Sequence, residues 1–590
     1  MTYKEKLSAI REQMKADNVH AYIIPSADPH MSEYLPKHYK CIPFVSGFRG
    51  SAGTLVITHA HAGLWTDARY FEQAAEQLEG SGFELMKLKV QHQPEYIDWL
   101  NQTLEKGNVV ASDEKLLSIL SGDLLTEKLA GKGITVVDKD YLSPIWKDRA
   151  ALPSEPAFLV ADEHIGQSVA SKLAEVRAEM DRLGADYHLV SSLDDMAWLF
   201  NIRGKDVNYN PVVLSFALIS QDHAKLYIDI NKLTEAEKVS LLKSGVEVLP
   251  YEDIEAALQR LPATSILIDP KRNCFAYLKL LPAGMRVMKE TNPSTNLKAV
   301  KNETELANTR TAMLKDGVAI TRFFKWLSEQ IGKIKITELS AAAQLRKFRE
   351  AQEGFIGDSF TTISAYRAHG ALPHYSASAE SDAELKAESL FLLDSGGQYF
   401  YGTTDITRTV SLGQLTEEES TDYTLVLKGM IEGCKVRFPK GTCGYQIDAI
   451  TRKPLWEHVI NYGHGTGHGV GYFLNVHEGP QVLNPTNNPV AMALGMITSV
   501  EPGIYRPGKH GIRIENLVAT IKDVDTEFGE FYAFEPLTIA PISTVPVKKE
   551  LLDKEQVAWL NQYNASVYEK LSPFLNEEEQ NWLKQETAAI

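Results

Sequence analysis

SLFLLDSGGQYFYGTTDITRTV (residues 389–410) and SVEPGIYRPGKHGIRIENLV (residues 499–518) follow one plan. Each reads as an apolar run, a turn rich in glycine with tyrosine or proline, and a second apolar run, which predicts an antiparallel hairpin. Each also carries two acids. Asp394 and Asp405 are symmetric about Tyr399 and Phe400, and Glu501 and Glu515 about Gly508. Residues symmetric about a turn face each other across the ladder, with Cβ atoms about 5 Å apart. Opposed carboxylates repel, and nothing in folding rewards them. Two such pairs in one region call for cations between them.

Between the hairpins lies HGTGHGVGYFLNVHEG (residues 464–479), with three histidines and five glycines. The spacing of His464 and His468 would suit two ligands on a helix. However, Gly465, Gly467, Gly469 and Gly471 occupy every second position, and each costs about 1 kcal/mol inside a helix. Extended or looping backbone is expected instead, where positions 464, 466 and 468 can point the same way. Four carboxylates and one imidazole form a hard, oxygen-rich donor set suited to Mn²⁺ or a similar divalent ion. Two such ions balance four carboxylates and leave a bridging hydroxide as nucleophile. That is a hydrolase's equipment.

The rest of the chain bounds the reading. At 590 residues it is too long for one core, and its 44% hydrophobic and 23% charged content is that of an ordinary globular protein. A net charge of −16 argues against nucleic acid as the main partner. There is no run of about 18 apolar residues, so no membrane span is expected. The opening MTYKEKLSAIREQMKAD reads as a charged amphipathic helix rather than a signal peptide. Cys41, Cys274, Cys434 and Cys443 are sparse and lack CxxC spacing, which argues against disulfides or a cysteine-zinc site. A cytoplasmic enzyme is the expected class. The first half reads as an internal duplication: helix, strand, helix, glycine turn and two strands occur twice, from AYIIPSADPHMSEYL and from YHLVSSLDDMAWLFNIRG. Pro153 and Pro156 punctuate the seam between the copies. A second seam falls near KETNPSTNLKAVKNETEL, where Asn302 and Glu305 predict a capping box. The boundaries are accordingly 1–155, 156–300 and 301–590. Helices are expected at 304–330, 338–353, 421–437 and 444–460 of the last segment, among mainly antiparallel strands.

Asp394, Asp405, His468, Glu501 and Glu515, within DSGGQYFYGTTDITRT, HGTGHGVG, EPGIY and GIRIEN, resemble the ligand pattern of the pita-bread metallopeptidases. The whole chain resembles the long, three-domain Xaa-Pro aminopeptidase type. The resemblance implies a fold of two creatinase-N-like α/β domains followed by a C-terminal pita-bread α+β catalytic domain. It implies removal of the N-terminal residue from peptides with proline at position two, using two Mn²⁺ ions, with Co²⁺ or Zn²⁺ as alternatives. By position, Asp405 and Glu515 would bridge the ions. Asp394 would complete one ion's shell, and His468 with Glu501 the other's, with Glu501 also the general base. His374 matches a histidine that assists proton transfer and binds substrate. His464 and His477 match a pair on the proline side of the scissile bond, and Arg69 in LWTDARYF an arginine that reaches toward substrate. A homodimer through the catalytic domain is the family habit. Arg513, spaced two from Glu515, is expected to orient a ligand carboxylate. Trp198 and Phe200 read as core, and His369, His458 and His510 as surface or structural. The rival readings are a prolidase, whose family generally carries one amino-terminal module, and a non-catalytic binding protein on the same fold.

Overall fold

The computed structural model describes residues 1–90 and 93–590. These divide into two compact units, 1–162 with 167–295 and 163–166 with 296–590. No helix among the described residues is long and apolar enough to cross a membrane, and all four cysteines are free thiols.

The first unit contains the duplication. Helix α1 (Tyr3–Ala16) starts at a Thr2–Glu5 capping box and buries Leu7, Ile10 and Met14, the spacing of one helical face. It leads into β1 (Ala21–Pro25), β2 (Thr54–Thr58), β3 (Ala62–Thr66), β4 (Glu84–Lys87), β5 (Val109–Ser112) and β6 (Thr135–Asp138), which pair in the order β4-β3-β2-β1-β5-β6. Helix α2 (Val169–Leu183), capped by Ser168 and closed by Gly184 at φ 72°, opens the second copy. Its strands are β7 (Tyr187–Val190), β8 (Ser215–Ser220), β9 (Ala224–Ile228), β10 (Val246–Pro250), β11 (Ser265–Ile268) and β12 (Arg286–Lys289). They pair as β10-β9-β8-β7-β11-β12. Every pairing has the same sense as its counterpart: antiparallel at β1–β2 and β7–β8, parallel at β1–β5 and β7–β11. Trp198 and Phe200 are buried, as core residues should be.

The second unit carries the acids. Helices α3 (Glu303–Gln330), α4 (Glu338–Glu350), α5 (Glu417–Lys435) and α6 (Gly444–Trp456) lie close to their expected positions. Helix α3 opens on the Asn302–Glu305 capping box. Helix α5 starts four residues before its apolar pattern predicts, because Thr416 and Glu419 form a capping box there. The strands are β13 (Ile363–Tyr366), β14 (Leu390–Ser395), β15 (Ile406–Ser411), β16 (Arg437–Pro439), β17 (Gly467–Gly469), β18 (Glu478–Leu483), β19 (Ile497–Val500), β20 (Gly503–Arg506), β21 (His510–Arg513), β22 (Asn516–Thr526) and β23 (Gly529–Pro536). Four sheets result: β13-β14-β15, β16-β23-β22-β19-β17-β18, the ribbon β20-β21, and a small sheet in which Gly397–Tyr399 pairs with Phe355–Asp358 and Gly402–Thr403.

Register decides where the acids point. In the second hairpin, Val500 pairs with Asn516 and Gly503 with Arg513. Both ladders share one register, and it sets Glu501 opposite Glu515 in the gap between them. The first hairpin corrects the expectation. Its turn is Phe400–Tyr401, since Tyr399 pairs with Gly402, so Asp394 faces Thr407 rather than Asp405. Asp405 is the diagonal neighbour on the same face, a relation that spaces Cα atoms about 7–8 Å apart. The acids are therefore staggered, not head-on.

Candidate metal centre

The His-Gly segment is extended where His468 sits, as β17, between β18 and β19. Glycine is required for that approach: a Cβ on Gly467 would lie 1.8 Å from the carbonyl oxygen of Ser499. Gly467→Ala therefore has to move backbone, not a side chain, and is expected to lower stability by about 3 kcal/mol, the upper end of ordinary overpacking. Denaturant unfolding of the two proteins side by side measures it, and an unchanged midpoint would mean that the strand spacing is not tight.

One ligand atom from each of Asp405, His468 and Glu515 fits within a common span of 4.8 Å. His468 Nε2 lies 3.6 Å from Asp405 Oδ2 and 3.5 Å from Glu501 Oε1, too far for strong hydrogen bonds. The other ring nitrogen, Nδ1, lies 2.9 Å from the Gly469 carbonyl oxygen. A proton on Nδ1, donated to that carbonyl, leaves the Nε2 lone pair facing the carboxylates. Ser499 holds the edge of the site, accepting from the His468 N–H at 3.0 Å and donating to Glu501 Oε1 at 3.3 Å. Thr407 donates to Glu515 Oε2 at 2.8 Å.

Asp394 belongs to the same cluster through Arg513. The buried guanidinium donates from Nη2 to Asp394 Oδ2 at 2.5 Å and to the Pro373 carbonyl at 3.3 Å. Its Nε lies 4.0 Å from Glu501 Oε2. Nη1 donates to the Tyr505 hydroxyl at 2.7 Å, and that hydroxyl lies 2.8 Å from His464 Nε2. His464 is thus one tyrosine away from the arginine that steadies Asp394. The His477 ring meets the His468 ring edge to face, with centroids 4.4 Å apart. His374 is half-buried in the loop after the turn Arg367–Ala371, directly following the Pro373 carbonyl that Arg513 holds. Arg69 belongs to the first unit, where its guanidinium forks onto Asp67 with two bonds of 2.7 Å. His510 is buried 2.8 Å from Asp422, His369 lies 2.8 Å from Glu338, and His458 is exposed.

The electrostatics are those of a site short of positive charge. Burial, reinforced by the Asp405 charge, holds the Glu515 carboxyl well above the usual carboxylate range. Burial also raises Asp394 against the pull of Arg513, and pushes Glu501 up to about 7 despite His468 and Arg513. For His468, burial acts downward but is outweighed by the neighbouring Asp405 and Glu501 carboxylates, which lift it to about 9. Asp394 Oδ1 and Glu515 Oε1 are buried with no hydrogen-bond partner among the described residues. Such orphaned anionic oxygens cost free energy unless a cation takes them up. The donor set therefore fits hard divalent ions, and a protein without thiolates at the site has no preference for soft ones.

Tyr505, Thr407 and Ser499 were not singled out by spacing. Thr407 had a signal, because it shares a strand face with Asp405 two residues away. Tyr505 and Ser499 lie four and two residues from Glu501, but nothing in their types marks them.

Known proteins resemble this chain along its whole length. The creatinase/prolidase N-terminal domain family matches residues 6–149, and a second form of it residues 148–305. Metallopeptidase family M24 matches residues 307–522, and the C-terminal region of that peptidase residues 530–590. A probable Xaa-Pro aminopeptidase P of Sordaria macrospora is 39% identical, with 99% of each chain covered. The corresponding Neurospora crassa protein is also 39% identical, over 99% of this chain and 89% of its own. Among solved structures, the X-prolyl aminopeptidase of Caenorhabditis elegans, described as a cytosolic enzyme with a di-nuclear active site, superposes with a TM-score of 0.95 at 34% identity over the full length of both. A Xaa-Pro dipeptidase from Bacillus anthracis shares the fold at TM-score 0.51 and 23% identity, covering 64% of this chain and 99% of its own.

Proposed function

Since the chain belongs to metallopeptidase family M24, in its Xaa-Pro aminopeptidase P branch, we propose that it hydrolyses the N-terminal Xaa-Pro bond of peptides at the cluster of Asp394, Asp405, His468, Glu501 and Glu515. The observation that carries this reading is the convergence of Asp405, His468 and Glu515 ligand atoms within 4.8 Å, beside orphaned oxygens of Asp394 and Glu515. The five residues would hold two divalent cations, Mn²⁺ with Co²⁺ or Zn²⁺ as alternatives, and Asp405 and Glu515 would serve both. When bound, such a pair supplies Lewis acidity that lowers the pKa of a shared water toward neutrality and polarises the scissile carbonyl.

The protein's own groups do the rest. Glu501 takes the proton from the attacking water as general base. Arg513 offsets part of the cost of burying Asp394 and aims its carboxylate. A prolyl amide nitrogen has no N–H to recognise and must be protonated as it leaves. His374 is assigned to proton transfer there, and His464 and His477 to the substrate's proline side. The cytosolic nematode enzyme supports a cytoplasmic location for this chain.

The prolidase alternative differs in substrate length. Remote binding groups of a longer peptide raise turnover rather than merely tightening binding, so Arg-Pro-Pro is expected to be cleaved after arginine faster than the dipeptide Arg-Pro. Chelation should abolish both rates and added Mn²⁺ restore them. Cleavage of the dipeptide alone would make the protein a prolidase. Absence of both cleavage and cation uptake would favour a binding protein on this fold.

A further inference from the structure

Behind the first hairpin, two residues outside the ligand set grip its opposite face. Asp316 of α3 and Arg349 of α4 are both fully buried. Arg349 Nε donates to Asp316 Oδ1 at 2.7 Å and Nη2 to Oδ2 at 3.0 Å. Two helices could be joined as well by apolar side chains, because a buried ion pair is often no more stabilising than its hydrophobic replacement. What distinguishes this pair is where its remaining hydrogen bonds go. Arg349 Nη2 also donates to Ser395 Oγ at 3.1 Å. Asp316 Oδ2 accepts from the Thr404 hydroxyl at 2.8 Å, and Oδ1 from the Tyr399 hydroxyl at 2.9 Å. Thr404 Oγ1 in turn accepts from the Gly397 N–H at 2.8 Å.

Ser395 is the neighbour of Asp394, and Thr404 the neighbour of Asp405. Successive side chains of extended backbone point to opposite faces, so fixing 395 and 404 from behind fixes 394 and 405 in front. The two strands also pack tightly at this point: a Cβ on Gly396 would lie 1.9 Å from the Thr404 carbonyl oxygen. The hairpin cannot slide against α3 and α4 without breaking these bonds.

We propose that Asp316, Arg349 and Thr404 are positioning residues that set the stagger between Asp394 and Asp405, and thereby the affinity and geometry of the cation pair. This rests on the two-cation reading above. Chelator-stripped protein dialysed against Co²⁺ gives the number and affinity of bound ions, and the visible absorption of bound Co²⁺ reports coordination geometry without any turnover. Thr404→Val, which removes one hydroxyl at nearly constant volume, is expected to weaken Co²⁺ binding about 10- to 100-fold, the range for lost outer hydrogen bonds, and to alter the absorption bands. Thr404→Ser, which keeps the hydroxyl, should retain the wild-type affinity and spectrum, and Asp316→Asn should follow the valine variant. Wild-type affinity and spectrum in Thr404→Val would overturn the positioning role alone. Wild-type protein that takes up fewer than two Co²⁺ ions would overturn the two-cation reading, and this inference with it.

Discussion

Glu515→Ala and Asp405→Ala are expected to retain no tightly bound Mn²⁺ or Co²⁺ after loading and dialysis, and to cleave Arg-Pro-Pro no faster than the chelated wild-type protein. Each removes an acid assigned to both ions, so the loss is joint rather than single. Its size follows from what the cations supply: without them the pKa of the nucleophilic water returns from about 7 toward 15.7, a larger penalty than the loss of any one proton-transfer group. Folding should survive. Burial and Asp405 already hold the Glu515 carboxyl well above its ordinary range, so its removal relieves crowding in the cation-free protein instead of breaking an ion pair. Metal analysis and circular dichroism on the same samples check both statements. A variant that keeps both ions would show that the shared-ligand assignment is wrong.

How much of this could be read from residues alone depended on the regularity of the backbone around them. Glu501 and Glu515 were legible because the chain keeps one register from Ile497–Ala519 through Gly503–Arg513, so counting from Gly508 gives the pairing. Asp394 and Asp405 were legible as a pair but not in their offset. The two-residue turn at Phe400–Tyr401 moves the axis one position from where the glycines and tyrosines suggest. His468 stood out because glycine at every second position excludes a helix. The duplicated sheets followed from repeated helix-strand-helix-strand-strand patterns, each set by its own local signals. What lay hidden was whatever depends on distant side chains meeting. Asp316 and Arg349 sit in two different helices, and an acid in one helix and a base in the next carry no mark that they will share a buried bond. Arg408 is similar: it donates to the carbonyls of Glu515 and Pro541 and to the Tyr563 hydroxyl, ties no spacing rule could supply.

Glu501→Gln separates ligation from proton transfer. Glutamine keeps the length of the side chain and one carbonyl-type oxygen, so part of the cation content should remain, in contrast to Glu515→Ala. It cannot accept a proton. The loss of a general base typically costs about 10²- to 10⁴-fold, and a fall of at least 10²-fold in turnover of Arg-Pro-Pro is expected, with KM little changed. The surroundings favour Glu501 over the other acids for this task. Asp394 is engaged by Arg513 at 2.5 Å and Glu515 by Thr407 at 2.8 Å, whereas Glu501 has a weak 3.3 Å contact with Ser499 and an arginine nitrogen 4.0 Å away. It is also half-buried, while Asp394, Asp405 and Glu515 are buried, so it is the acid from which a proton can most readily be passed on. Turnover near the wild-type rate in Glu501→Gln, with cations bound, would move the base to another residue. His374, in the loop that Arg513 fastens through Pro373, would be the next to test.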